Sequence, residues 1–487
     1  MLKTQIPTEA AISSFNSSPV TQKIRAFKRV PLGWTLIYAL LFFLAFCFYA
    51  AMWQKAPLLQ PDSTTYLSAA QEFSDFHIDR LQQRAPGYPL FLALTANESP
   101  NRRLFFVSLL LHFASVALLS SILCRAGLKK ITLLLFGVTL LLPPYVESAA
   151  YVLTENLTEA MLVAGFVGFA WWLLGGGTAW LFVSGLATGY AALTRPTYQL
   201  LAFAMASYLF IANLLFRSTA KWRDMIKGAG ILILGTIVIV GGYAFVNYRS
   251  FGYFGVSPVL GLALSQKTVR VVERLPDEYA AVREALINAR NSALITGQEH
   301  TGYGYIDSMV PELTRLTGLE KAELSNYMLR LNLLLIQKAP LYYLREVIFA
   351  FGFYWFPSSS ELANFKSRTF QFLWGAIHFL LIGAFALNLV LVVAAAIYIR
   401  TCPLLRTLVD QLPVNEQRTL KLKGLMYGLA GTMVFYSAFL TCLIQEAIPR
   451  YRVPTDALIV FMLFLGTHLW RCFVSLSRTA FATTPDH

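Results

Sequence analysis

Charge is the first thing this sequence lacks. Only 14% of its 487 residues are Asp, Glu, Lys or Arg, against 56% hydrophobic, and mean hydropathy is +0.55. A soluble protein of this length needs more charge to cover its surface, so a soluble globular enzyme is excluded. Cysteine is scarce as well. Cys47, Cys124, Cys402, Cys442 and Cys472 fall in apolar runs or at their edges, without the spacing of a zinc site or a disulfide framework. Internal repeats, low-complexity tracts and a soluble catalytic domain are also missing, which leaves the membrane as the solvent to consider.

Long apolar runs are abundant. Ten have about the 20 residues needed to cross a hydrocarbon core roughly 30 Å thick. They are Pro31 to Trp53, Leu104 to Cys124, Ile131 to Ala149, Leu157 to Leu174, Ala179 to Leu193, Tyr198 to Phe216, Ile226 to Val246, Phe370 to Ile399, Met426 to Leu443 and Pro454 to Phe473. The expected fold is an all-α polytopic bundle of about ten transmembrane helices. Residues 31–246 would form an N-terminal membrane module and 370–473 a C-terminal one. Residues 247–369 would be an external segment of interfacial helices, and 1–30 and 474–487 cytoplasmic tails.

The net charge of +14 could suggest a nucleic-acid partner, but its placement argues otherwise. With the N-terminus inside, the cytoplasmic segments are the two tails and the loops at Arg125 to Lys130, Arg217 to Lys227 and Arg400 to Lys423. They carry 19 basic and 5 acidic residues, an excess equal to the whole net charge. That is the positive-inside pattern of a cytoplasmic (inner) membrane protein, and nucleic acid drops out. Lys23, Arg25, Lys28 and Arg29 precede a first run with no clear cleavage site, which reads as a retained anchor. Leu341 to Trp355 is apolar but short and contains Arg345 and Glu346. If it spanned, the basic 400–423 loop would move outside, so it reads as an interfacial or re-entrant helix.

The polar chemistry gathers on the opposite side. The first external loop opens Gln60-Pro61-Asp62-Ser63-Thr64-Thr65-Tyr66. Asp62 can be a helix N-cap, or a carboxylate held at the membrane surface one turn from Tyr66. The loop closes Arg84-Ala85-Pro86-Gly87-Tyr88-Pro89, irregular backbone of the kind tolerated beside a cavity. Glu155 and Glu159 share a face of the fourth run, whereas Glu147 reads as a simple interfacial residue. Arg195-Pro196 closes the fifth run, and Glu446, Arg450, Tyr451, Arg452 and Asp456 precede the last. A lone interfacial arginine is ordinarily snorkelling. Three of them with at least four carboxylates make an anion site, and at a membrane surface the anion is a lipid phosphate. His300, the one histidine of the long external segment, reads as a solvated loop residue.

Pro-Asp-x-x-x-Tyr after the first run, then Arg-x-Pro-Gly-Tyr-Pro, resembles the GT-C superfamily of membrane glycosyltransferases. So do Leu-Thr-Glu opening the fourth run, Gly-Leu-Ala-x-Gly-x-Ala-x-Leu-Thr-Arg-Pro closing the fifth, and Arg-Tyr-Arg-x-Pro before the last. The likeness is to the group of protein mannosyltransferases, aminoarabinose transferases and RgtA/B/C/D-like proteins. It covers roughly residues 31–196 and the final run. It implies transfer of a sugar, with inversion, from a polyprenyl-phosphate donor to an envelope glycan, lipid or protein acceptor on the external face. Carried over by position, Asp62 is the catalytic carboxylate and Glu155 a second acidic residue near the acceptor or a divalent metal ion. Arg195, with Arg450 or Arg452, holds the donor phosphate; Arg84, Tyr66, Tyr88 and Tyr451 line the same site. Some members pair the first carboxylate with a second. Here Ser63 follows Asp62, which leaves metal dependence open. A transporter or flippase of lipid-linked intermediates is the competing reading. It would place several charges inside the spans and show two related halves. A non-catalytic scaffold would have no need of the charged cluster.

Overall fold

The computed structural model describes residues 32–52, 57–75, 84–95, 100–215, 222–295, 302–358, 367–446 and 448–482. Among them every regular element is helical, apart from one isolated bridge. The first half contains α1 (Leu32–Met52), α2 (Ser63–Ser74), α3 (Gly87–Thr95), α4 (Arg102–Arg125), α5 (Lys130–Leu140), α6 (Pro143–Val146), α7 (Glu155–Leu173), α8 (Ala179–Thr194), α9 (Leu201–Leu215) and α10 (Trp222–Phe251). The second contains α11 (Leu260–Thr268), α12 (Ala280–Ile295), α13 (Gly302–Thr317), α14 (Lys321–Lys338), α15 (Pro340–Tyr354), α16 (Arg368–Thr401), α17 (Pro403–Gln411), α18 (Val414–Ile444) and α19 (Val453–Ala482).

Seven helical segments among the described residues are long and apolar enough to cross a membrane: Arg102–Arg125, Glu155–Leu173, Pro196–Leu214, Trp222–Phe251, Arg368–Thr401, Val414–Ile444 and Pro449–Thr479. The chain is an all-α, multi-pass protein, as a bilayer demands of backbone that must satisfy its own hydrogen bonds. The count of ten is not reached. Thr35–Ala50 and Ala179–Thr194 are apolar but shorter, and the third expected run is broken. Its halves, α5 and the Pro143–Ala150 segment, meet at 60°. Pro143 and Pro144 lack N–H groups and begin a new helix rather than extending the old one. Leu341 to Trp355 is the 15-residue helix α15, outside the spanning set.

The bundle core joins α4, α5, α7, α8, α9, α10, α18 and α19. Small residues let backbones touch: a Cβ on Gly185 of α8 would run into Leu232 O of α10. Within residues 247–340 the described helices also pack on one another. Leu262, Val272, Leu286, Leu313, Met328 and Leu335 give α11–α14 a hydrophobic core of their own, so the segment is a packed helical lobe. It grips the bundle through Arg270, which reaches Glu346 of α15 at 3.4 Å and Glu446 after α18 at 2.6 Å.

Candidate active site

Two chain crossings bring the site together. Leu58 pairs with Tyr151 as a parallel bridge, with Leu58 N donating to Ala150 O at 2.8 Å and Val152 N to Leu58 O at 3.0 Å. Ser63 Oγ donates to Val152 O at 2.8 Å. The turn before α2, which carries Asp62, is thereby stitched to the strand-like lead into α7, which carries Glu155. Gly87 brings in the third piece. A Cβ there would stand 2.7–2.8 Å from backbone atoms of Leu193 and Thr194, so only glycine lets α3 press against the end of α8. Tyr190 Oη of α8 donates to Gly87 O at 2.9 Å across the same contact. Arg195 follows directly at the end of α8.

Asp62 is not a cap. Its backbone is already helical (φ −72°, ψ −21°), and its carboxylate makes no bond to the α2 backbone. Instead Arg84 Nη2 donates to Oδ1 at 2.8 Å and Arg450 Nη2 to Oδ2 at 2.7 Å. Arg84 is steadied by Thr65 Oγ1 at 2.9 Å and lies 4.7 Å over the Tyr66 ring, which meets Tyr88 edge-on. Glu155 Oε1 accepts from Arg195 Nη2 at 2.7 Å and stands 3.0 Å from Arg450 Nε, an ion pair off the hydrogen-bond line. Arg195 Nε donates to Thr154 Oγ1 at 2.8 Å, and its guanidinium covers Tyr451 at 5.2 Å. Arg450 therefore bridges the two carboxylates.

Among the described residues the cluster sets three guanidiniums against two carboxylates. The cluster is part-open: the Asp62 side chain is 21% exposed and Arg450 20%, while Glu155 is 3%. Burial pushes the Asp62 carboxyl up, but Arg84 and Arg450 outweigh it and hold it below its ordinary value. Burial raises the Tyr66 phenol, which stays neutral. As it stands, then, Asp62 is a charged but weakened base, clamped by groups that suit an anion.

Of the expected residues, Asp62, Tyr66, Arg84, Tyr88, Glu155, Arg195, Arg450 and Tyr451 come together. Arg452 does not. It is 1% exposed and turned away, with Nε on Asp456 Oδ1 at 2.8 Å and Nη1 on the Phe356 carbonyl at 2.5 Å. Glu159 has a partner that sequence reading missed: His112 of α4, 3.1 and 3.2 Å from its two oxygens. The other ring nitrogen of His112 donates to Leu140 O at 2.9 Å, which leaves Nδ1 to share a proton with Glu159. That pair staples α4 and α7 to the carbonyl left open where α5 breaks. Lys423 and His468 form a second, part-buried pair at 2.8 Å, so ionisable groups are not confined to one surface as the sequence suggested. Glu147 is buried (5% exposed) against Tyr151 rather than interfacial.

Among the described residues no three His, Cys, Asp or Glu side chains gather to hold a metal, and Asp62 and Glu155 both face guanidiniums. This donor set suits an anion rather than a divalent cation. His300 lies outside the described residues. Sequence reading also passed over Asn156, next to Glu155 and 3% exposed. The available signal was three polar residues, Thr154-Glu155-Asn156, opening an apolar run. No family model matches the chain, and no curated protein matches it at a significant level.

Proposed function

We propose that the chain is an integral membrane glycosyltransferase of GT-C type, moving a sugar from a polyprenyl-phosphate donor to an envelope acceptor on the extracytoplasmic face. The observation that carries this is Arg450, held between Asp62 and Glu155 in a part-open cluster that also holds Arg84 and Arg195. A lipid phosphate gives Arg84, Arg195 and Arg450 a second anion to bind. As they turn to it, Asp62 loses its counter-charges and its basicity returns toward the ordinary carboxylate range. An acceptor hydroxyl then attacks C1 of the sugar from the face opposite the phosphate. The C1–O bond to phosphate breaks, its electron pair leaves on the phosphate oxygen, and Asp62 takes the hydroxyl proton. The arginines stabilise the charge that develops on the leaving phosphate. The attack from behind inverts C1.

About ten spans, with both termini cytoplasmic, put this cluster outside and the basic 400–423 loop inside. Purified protein in liposomes, given polyprenyl phosphate carrying a labelled sugar and an envelope extract as acceptor, tests the reading. Wild type should transfer label, and bare polyprenyl phosphate should compete. Arg195→Gln and Arg450→Gln should need more donor, and Lys at either position should restore only part, because a point charge lacks the planar fork. Absence of both transfer and competition would defeat the proposal.

A further inference from the structure

The arginines account for a phosphate but leave part of the cluster unused. Arg195 and Arg450 both address Oε1 of Glu155, and Oε2, equally buried, has no hydrogen-bond partner among the described residues. Asn156 follows. It is 3% exposed, and neither Oδ1 nor Nδ2 has a partner. The Thr154 side chain makes no capping bond to the N-terminus of α7, and its hydroxyl oxygen accepts from Arg195 Nε. Buried polar groups are normally paired, and one left without a partner costs stability that an apolar side chain of similar size would not. Two such groups on adjacent residues, inside a membrane bundle, call for a ligand.

Their chemistry narrows it. A carboxylate oxygen only accepts, whereas a carboxamide offers both a donor and an acceptor. That set does not suit a phosphate, which needs donors throughout. It suits hydroxyl groups, which donate and accept. Successive helical residues diverge by about 100°, so the two groups flank a ligand rather than converge on one atom of it.

We infer that Glu155 Oε2 and the Asn156 carboxamide bind hydroxyl groups of the transferred sugar, so that the first turn of α7 reads the sugar while the arginines hold the phosphate. This rests on the glycosyltransferase reading, and the test separates the two. Binding to purified full-length protein in detergent is measured for farnesyl phosphate and for farnesyl phosphate bearing glucose, mannose or galactose. Wild type should bind the bare phosphate and should bind at least one glycosylated form about tenfold more tightly, the scale of one or two net hydrogen bonds. Asn156→Leu should keep the affinity for bare farnesyl phosphate, reduce the sugar increment to about threefold or less, and melt at or above the wild-type temperature without ligand. In case that variant fails to fold, deoxy sugars on wild-type protein give the same reading, and removal of one particular hydroxyl should abolish the increment. No binding of farnesyl phosphate would overturn the phosphate site and the function with it. Normal phosphate binding with no sugar increment for any sugar, or an increment unchanged in Asn156→Leu and insensitive to every deoxy position, would overturn this inference alone. A variant that melts lower yet keeps the increment would make Asn156 structural.

Discussion

Arg450 and Arg452 sit two residues apart in one 3₁₀ turn, yet they belong to different kinds of ion cluster. Arg452 is fully enclosed, its charge matched by Asp456 and its remaining donors by the Tyr354 and Phe356 carbonyls. Arg450 is one-fifth exposed and shared between two carboxylates, in a group of three guanidiniums that leaves, among the described residues, one buried acceptor unused. The closed cluster ties Arg452 to groups of α15 and α19, which is what a structural joint between them requires. The open cluster gains by taking up an anion. Charge balance and unsatisfied atoms, more than burial or residue type, separate architecture from site.

That contrast breaks most visibly at Asp62. Asn keeps the shape of the side chain but removes the charge and the proton acceptor. Transfer should fall by about 100-fold or more, the usual scale for a lost general base, while expression and melting temperature stay near wild type. Part-exposed ion pairs contribute little to stability. Transfer of labelled sugar, normalised to protein, checks it; an active Asp62→Asn would leave Glu155 as the next candidate.

The two arginines should fail in opposite ways. Arg452→Gln leaves Asp456 without its buried cation and should cost about 3–5 kcal/mol, read as lower yield and an earlier thermal transition. Arg450→Gln should fold normally and show its defect in donor affinity and turnover rather than in melting. Equal melting of the two variants would erase the distinction between the clusters.

A smaller effect concerns pH. Asp62 is held below its ordinary value of 3.8 in the free protein. The stability of its ion pairs is therefore fully present above about 3.8 and lost only as pH falls through the depressed value. The wild-type minus Asp62→Asn difference in melting temperature should then be flat between pH 5 and 8. Once donor takes the arginines, the same carboxyl titrates higher. The acidic limb of kcat should lie above that of kcat/KM, which reports the free enzyme. Coincident limbs would mean that Asp62 keeps its arginines throughout the reaction.

Most of the apolar architecture could be read from the sequence because hydropathy is additive along the chain: within the described residues the ten runs fall mainly on helix, the third with a sharp break. The break at Pro143-Pro144 was visible in the same letters, but a windowed average runs through it. The shared core of α11–α14 was not legible, because their apolar stripes look alike whether they face lipid or one another, and only their mutual packing decides. The site residues were legible as a set, since each closes or opens a run on one side. Their division of labour was not. His112 and Glu159 are 47 residues apart, and nothing local marks Arg450 from Arg452. Which of two neighbouring side chains turns to a carboxylate is fixed by three-dimensional packing.

Sidedness sharpens the comparison with the least perturbation. In a cysteine-free background, a single cysteine at Gly318 of the lobe should react with an impermeant thiol reagent in intact cells, and one at Leu412 only after permeabilisation. Labelling of Leu412 in intact cells would invert the arrangement.

The central claim, sugar transfer at the Asp62 and Arg450 cluster, is tested most directly by mass spectrometry of envelope glycolipids and glycans. Cells lacking the protein would be compared with the same cells given back wild type or Asp62→Asn. The account predicts a species lighter by one sugar residue in the deletion and the Asp62→Asn cells, restored to full mass by wild type. Identical spectra in all three would contradict it.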